Sequence, residues 1–170
     1  MTVRSTRLRL GERLLGLASA LFLVDLFGAT WFGYRAQYRA VATMLGQLPN
    51  ANGWQTFDVI GPLAVVVCVL GIAICLMTAT RRSPAVPIVL TTLLAPVSLV
   101  LAILVAIRVL LDQPSVHLAQ AGGANVIEAH AGAYVGLLLS VAVFAGLYLV
   151  LRRDGVAPED APKRIETLRV

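Results

Sequence analysis

The chain has 170 residues, of which 58% are hydrophobic and 14% charged, and its formal net charge is +5. This composition, with a mean hydropathy of +0.83, excludes an ordinary soluble domain, in which about a quarter of the residues are charged. The basic residues flank the long apolar segments and form no patch of their own, so we expect no nucleic-acid partner.

Four long apolar segments divide the chain, and each is close to the roughly 20 residues that a helix needs to cross the hydrocarbon core of a bilayer. They lie at residues 14–34, 57–80, 88–111 and 131–151. We predict an all-α fold, a four-helix transmembrane bundle that occupies residues 14–154. A basic N-terminal segment, 1–13, precedes this domain, and a flexible tail, 155–170, follows it.

The distribution of basic residues predicts the orientation of the bundle. Arginine precedes the first segment, forms the turn between the second and third segments, and follows the fourth, and all these positions fall on one side of the membrane. Short loops rich in Arg and Lys stay in the cytoplasm. We therefore expect a multi-pass membrane protein with both termini in the cytoplasm and two longer loops outside.

A charged residue, Asp25, lies near the middle of the first segment or somewhat outward of it. A charge at such a depth costs at least about 3 kcal/mol on insertion scales and is usually paired or functional. Arg108, near the outer end of the third segment, is the expected partner, because a carboxylate–guanidinium pair would stabilise both charges. Three roles stay open for Asp25: this intramembrane charge pair, a protonatable site, or a carboxylate facing a water-filled vestibule.

Aromatic side chains cluster at the predicted outer ends of the segments. Amphipathic rings favour the depth of the lipid headgroups, so we expect outer interface anchors among them. These are Trp31, Tyr34, Trp54 and Phe57. In the first outer loop, apolar residues at helical spacing predict a short helix along the membrane surface. They are Tyr34, Tyr38, Val41 and Leu45.

Two prolines have different expected effects. Pro62 follows Asp58 at the start of the second segment, where the amide that proline lacks would be unpaired anyway. Pro96 lies inside the third segment and removes a helical hydrogen bond, so we expect a helix kink there. Such a kink would be either a purely structural feature or a functional hinge.

The fourth segment contains a stripe of small residues, Gly132, Gly136 and Ser140, at intervals of about one helical turn. In lipid, such stripes let helix backbones approach closely. We expect the stripe to serve helix packing, with another helix of the same chain as its partner rather than a second copy.

Signals for chemistry are weak. His117 and His130 share the predicted outer side with Asp58, Asp112 and Glu128, but their spacing matches no metal-binding pattern. The sequence also contains no nucleophile-elbow, zincin or phosphate-binding glycine motif. We therefore expect no metal, no cofactor and no enzymatic activity.

Short motifs at the ends of the segments have a recognisable order. They are Gly53-Trp54-Gln55-Thr56-Phe57-Asp58, Arg108 with Pro114, Gly132-Ala133-Tyr134-Val135-Gly136-Leu137, and Gly146-Leu147-Tyr148 with Arg152-Arg153-Asp154. In these motifs the chain resembles a group of uncharacterised four-helix integral membrane proteins common in actinobacteria, over roughly residues 14–154. The resemblance implies an inner-membrane helical bundle and no particular activity. The longer first outer loop, 35–52, departs from that group.

Two functions are compatible with these features. The leading hypothesis is a non-catalytic accessory or scaffolding subunit of a cell-envelope complex, whose partners are the lipid bilayer and either another membrane protein or further copies of the chain. The alternative is a small proton-linked transporter that uses the intramembrane Asp25.

Overall fold

The computed structural model describes residues 10–44, 50–80, 85–115 and 125–153. The helices are α1 (Leu10–Gly28), α2 (Arg39–Met44), α3 (Gly53–Thr56), α4 (Ile60–Thr80), α5 (Ala85–Ala106) and α6 (Ala131–Arg153). The strands are β1 (Thr30–Tyr34), β2 (Asn50–Asn52) and β3 (Ile127–Ala129). A 3₁₀ turn, Ala36–Tyr38, precedes α2, and a π-helical turn, Ile107–Leu111, continues α5.

Three helices are long and apolar enough to cross a membrane. They are Ile60–Thr80, Val89–Leu111 and Ala131–Arg152. They fall on the second, third and fourth predicted segments, so the prediction of helices long and apolar enough to cross a membrane is confirmed for these three. Pro62 lies in the first turn of α4, and Pro96 lies inside α5, where its kink stays a prediction.

The long helices pack around a shared interior. Helix α1 contacts α4 on one side and α6 on the other, and α5 contacts the same two helices. Small residues allow the close approaches, because a Cβ on Gly71 would lie 2.6 Å from Ser19 Oγ and a Cβ on Gly146 only 2.8 Å from the backbone nitrogen of Leu15. Close backbone contact at small residues is the usual way in which helices associate in lipid.

Polarity is distributed as expected for a protein surrounded by lipid. The helices expose large apolar side chains along their outer faces, and α1 does so with Leu17, Leu21, Val24 and Phe27. Among the described residues, five polar side chains within the helices are buried instead, although others, such as Thr92 of α5, are exposed. The buried ones are Ser19, Asp25, Thr91, Ser98 and Ser140. A soluble protein would rarely expose an apolar surface of this extent.

A small antiparallel sheet caps one end of the helices, which corrects the all-α prediction. Its order is β2-β1-β3, with β1 in the centre. The first segment was predicted to be helical up to Tyr34, but α1 ends at Gly28 and the next residues form β1. A run of apolar and aromatic residues has the same hydropathy in a helix as in a buried strand. Here the residues of β1 form a strand because they pair with two segments that are distant in the chain.

The predicted helix in the first loop is present as α2, preceded by its 3₁₀ turn. Leu45, which the prediction included, lies outside the described residues, as do the N-terminal segment up to residue 9, the arginine turn 81–84, His117, and the tail from residue 154. The second predicted outer loop also contributes β3 to the sheet.

Replacing Gly146 by alanine should destabilise the fold by about 1–3 kcal/mol, the usual cost of overpacking a tight contact. The added Cβ would meet the backbone of Leu15 on α1, which has no flexible end that could move aside. Gly28→Ala is the matched control, because a Cβ there would meet nothing within 4 Å. Thermal unfolding in a mild detergent measures both, and equal melting temperatures would contradict the packing described for α1 and α6.

Candidate functional site

Asp25 lies in the last turn of α1, next to the start of the sheet. Its backbone carbonyl accepts a hydrogen bond from the amide of Ala29 at 3.0 Å. Because the helix ends at Gly28, Asp25 is close to the sheet end of the bundle and not near the middle of a span. This corrects the predicted depth and places the carboxyl where helix and sheet meet.

The Asp25 side chain is buried, with 9% of its surface exposed. Its Oδ2 atom has no hydrogen-bond partner within the described part of the chain. Buried polar atoms are almost always hydrogen-bonded, and those that are not call for an explanation. This carboxyl is therefore the strongest candidate for a functional group in the described residues.

Trp31, on β1, fills the space beside Asp25. Its indole is 1% exposed, and its Nε1 donates to the backbone carbonyl of Asp25 at 3.3 Å. The ring stacks near Phe22 of α1, with centroids 6.3 Å apart, and meets Phe57 edge-on at 5.4 Å. The indole thus ties the end of α1 to the central strand of the sheet.

A β-bulge directs this side chain inward. Thr30 pairs with Asn52 and Phe32 pairs with the adjacent residue Ala51, so Trp31 is an extra residue opposite β2. Bulges of this kind interrupt the alternation of side chains and re-aim them. As a result, Trp31 and Phe32 are both buried, although they are neighbours on one strand.

Gly136 of α6 closes the site from the other side. A Cβ on this residue would lie 2.5 Å from Trp31 Cη2 and 2.8 Å from Asp25 Oδ2, so only glycine fits. Gly132, one turn away, faces the backbone carbonyl of Thr30, which a Cβ would approach to 2.5 Å. We call Asp25, Trp31 and Gly136 the Asp25 junction.

The predicted small-residue stripe therefore packs against this chain's own α1–β1 segment at Gly132 and Gly136. Ser140 continues the stripe as a buried residue whose Oγ donates to the carbonyl of Leu137 at 2.7 Å. A second copy of the chain could not reach these positions without displacing Trp31 and Thr30.

Arg108 does not pair with Asp25. Its Nη1 donates to the carboxylate of Asp112, four residues on, and to the backbone carbonyl of Asp112 at 3.3 Å. The reason is position, because Arg108 lies in the π-helical turn that ends α5, and α5 packs against α4 and α6. Asp112 is a local and exposed partner, so the predicted intramembrane charge pair is not formed.

Three of the four predicted interface anchors are internal. Trp31, Tyr34 and Phe57 are buried, which corrects the prediction that they face the headgroups. Trp54 is the exception, with 43% of its surface exposed and its ring 5.3 Å from that of Phe27. Aromatic residues near a span end give the same sequence signal whether they anchor to lipid or fill a core.

A polar network on the far side of the sheet was not predicted. Arg39 donates from Nε to the carbonyl of Tyr34 at 3.2 Å, and its Nη2 lies 3.2 Å from Nε2 of His130. Arginine can only donate, so Nε2 accepts and the imidazole is neutral. The remaining ring nitrogen, Nδ1, then donates to the carbonyl of Glu128 at 3.2 Å. These hydrogen bonds hold α2 against β1 and β3.

No protein-family model matches this chain, and no curated protein or solved structure matches it either. The resemblance to four-helix actinobacterial membrane proteins stays a prediction.

The Arg108→Gln variant should lose no more than about 1 kcal/mol of stability, the usual range for an exposed ion pair. Asp112→Asn should cost a similar amount, and the double variant should cost no more than one of them. Unfolding in detergent, read as a double-mutant cycle, measures this. A loss of about 3–5 kcal/mol for Arg108→Gln would instead indicate that its charge is needed by a buried carboxylate such as Asp25.

Proposed function

We propose that this chain is a four-helix transmembrane bundle of the plasma membrane that acts as a non-catalytic accessory or scaffolding subunit of a cell-envelope complex. Its sheet end faces outward, and both termini lie in the cytoplasm. The observation that carries the proposal is the sheet, which joins three distant segments of the chain into one surface at the end of the helices.

Helix α1 is the proposed fourth span. At 1.5 Å per residue its 19 residues give a length of about 28 Å, close to the thickness of the hydrocarbon core. Its exposed face is apolar from Leu17 to Phe27, and its interior face packs on α4 and α6. The charged residues Glu12 and Arg13 lie in its first turns, at the end away from the sheet.

The proposed orientation rests on where the basic residues lie. Gly11, at the start of α1, packs against Leu149 and Val150 near the end of α6, so both helices have these ends on one side. The sequence adds arginines before α1 and at the end of α6 on that same side. The positive-inside rule favours the cytoplasm for it.

The sheet is suited to contact with a partner. Trp31 fixes it to α1, and the Arg39–His130 network fixes α2 to it. Its outer strands, β2 and β3, are the two edges, and an edge strand can pair with a strand of another protein. A fixed surface whose outer strands each have one neighbouring strand among the described residues supports a scaffolding role.

Gentle purification from native membranes, with lipid retained, tests this proposal. We expect a stoichiometric membrane partner with the wild-type chain, and its loss with Arg39→Gln, which loosens the sheet surface. Arg152→Gln is the matched control, because it also removes one exposed positive charge but lies at the other end of the bundle. Mass measurement distinguishes a different protein from further copies of the chain. Recovery of folded single chains only would contradict the scaffolding role.

A small proton-linked transporter is the second candidate, favoured by the unpartnered Oδ2 of Asp25. In that role Asp25→Asn should abolish proton influx into proteoliposomes driven by an imposed membrane potential, because the amide cannot bind and release a proton. Arg108→Gln, which leaves Asp25 unchanged, serves as the control. Equal influx through the wild type and Asp25→Asn would exclude the transport role.

A further inference from the structure

Burial removes the Asp25 carboxyl from water, and the donor beside it, the Trp31 indole N–H, carries no charge. Within the described residues, Oδ2 has no hydrogen-bond partner. Two arginines of the described residues have other partners, since Arg108 pairs with Asp112 and Arg39 donates to the carbonyl of Tyr34 and to His130. A buried ionised carboxylate without a partner is strongly disfavoured relative to the neutral acid.

The position of Asp25 on its helix adds to this. The carbonyl groups in the last turn of a helix carry a partial negative charge, which repels an anion placed there. Asp25 lies in that turn of α1. The acidic carboxyl therefore lies at the C-terminal end of the helix, whose partial negative charge favours cations.

Within the described residues, the other charged groups do not alter the preference of Asp25 for its neutral form. The charged or titratable residues on the elements packed against the end of α1 are Tyr134, Tyr148, Arg152 and Arg153 on α6, Cys68 and Cys75 on α4, and Tyr34 on β1. The arginines lie at the opposite end of α6, where Gly11 begins its contacts. Tyr134 and Tyr148 are exposed, and Tyr34 packs with Val126 on the other side of the sheet.

The junction is closed on the side of α6. A Cβ added to Gly136 would lie 2.5 Å from Trp31 Cη2 and 2.8 Å from Asp25 Oδ2, so no water fits between Gly136 and the carboxyl. Water could reach an ionised carboxylate only if Trp31 or α6 moved. Because Trp31 belongs to the central strand, such a movement would shift the sheet relative to the helices.

We propose that Asp25 is a proton-binding site that controls how the sheet is seated on the helices. With its proton bound, the neutral carboxyl is tolerated in the closed junction. When the proton leaves to solvent, the carboxylate draws in water and displaces Trp31. The proposal goes beyond the scaffolding and transport roles. It concerns whether Asp25 is protonated at equilibrium and where Trp31 then lies, and it requires neither a partner protein nor proton flux.

Trp31 can report on this site directly. The chain has two tryptophans, so Trp54→Phe leaves Trp31 as the single emitter. We expect its fluorescence in lipid nanodiscs to change in one single-proton step as the pH is raised from acidic to alkaline. In Trp54→Phe combined with Asp25→Asn, a neutral residue of the same shape, we expect the acidic-form emission at every pH. An identical step with and without Asp25 would overturn the proposal.

Two measurements on the protein with Asp25 intact keep the test independent of how well Asp25→Asn folds. On the acidic side of the step, the infrared spectrum should contain a protonated-carboxyl C=O band that is missing from Asp25→Asn and shifts to the carboxylate region through the same step. Hydrogen exchange, corrected for intrinsic base catalysis, should accelerate in β1 and β3 but not in α4 as the pH rises. The absence of such a band on the acidic side of the step, or equal changes in the sheet and in α4, would overturn the proposal.

Discussion

The structure depends on one insertion, that of the Trp31 indole between the end of α1 and the backbone of α6. The ring contacts two helices and the aromatic residues around it, and its N–H reaches the last turn of α1. It can do so only because Gly136 has no side chain and because a bulge turns the residue out of the regular strand alternation. The sheet is thus attached to the helices through a buried ring, and disturbance of that ring would affect both.

The early end of α1 has consequences for its charged residue. If the helix had continued to Tyr34, Asp25 would lie deep in the span, where a partner such as Arg108 would be required. Since α1 ends at Gly28, the carboxyl lies beside the sheet, sealed by protein side chains instead of lipid. Trp31 and Gly136 keep water away from the carboxyl here, as lipid would have done in the middle of a span. A buried charge is unfavourable in either place, but at this position a small movement of one strand could expose the carboxyl to water.

Hydropathy and spacing were sufficient to predict α4, α5 and α6, because a run of about 20 apolar residues has few alternatives to a membrane helix. They also predicted α2 and the close packing at Gly132 and Gly136. They failed at residues 30–34, whose conformation is set by hydrogen bonds to Asn50–Asn52 and Ile127–Ala129. Such long-range pairing has no local signal. The same limit explains Arg108, which was predicted to pair with Asp25, whereas the arrangement of helices leaves it paired with Asp112, four residues on.

Packing alone does not account for an aspartate at position 25. A buried apolar side chain would satisfy the same contacts with Trp31 and α6 and would leave no polar atom unpaired, so the acid lowers the stability of a closed junction. Unpaired buried groups of this kind are found where strain or titration has a use. Ser19, whose Oγ is also buried and has no partner among the residues that the structure describes, differs because a hydroxyl carries no charge that could change. Of the two, only Asp25 can alter its charge, and it lies where α1, α6 and the sheet meet.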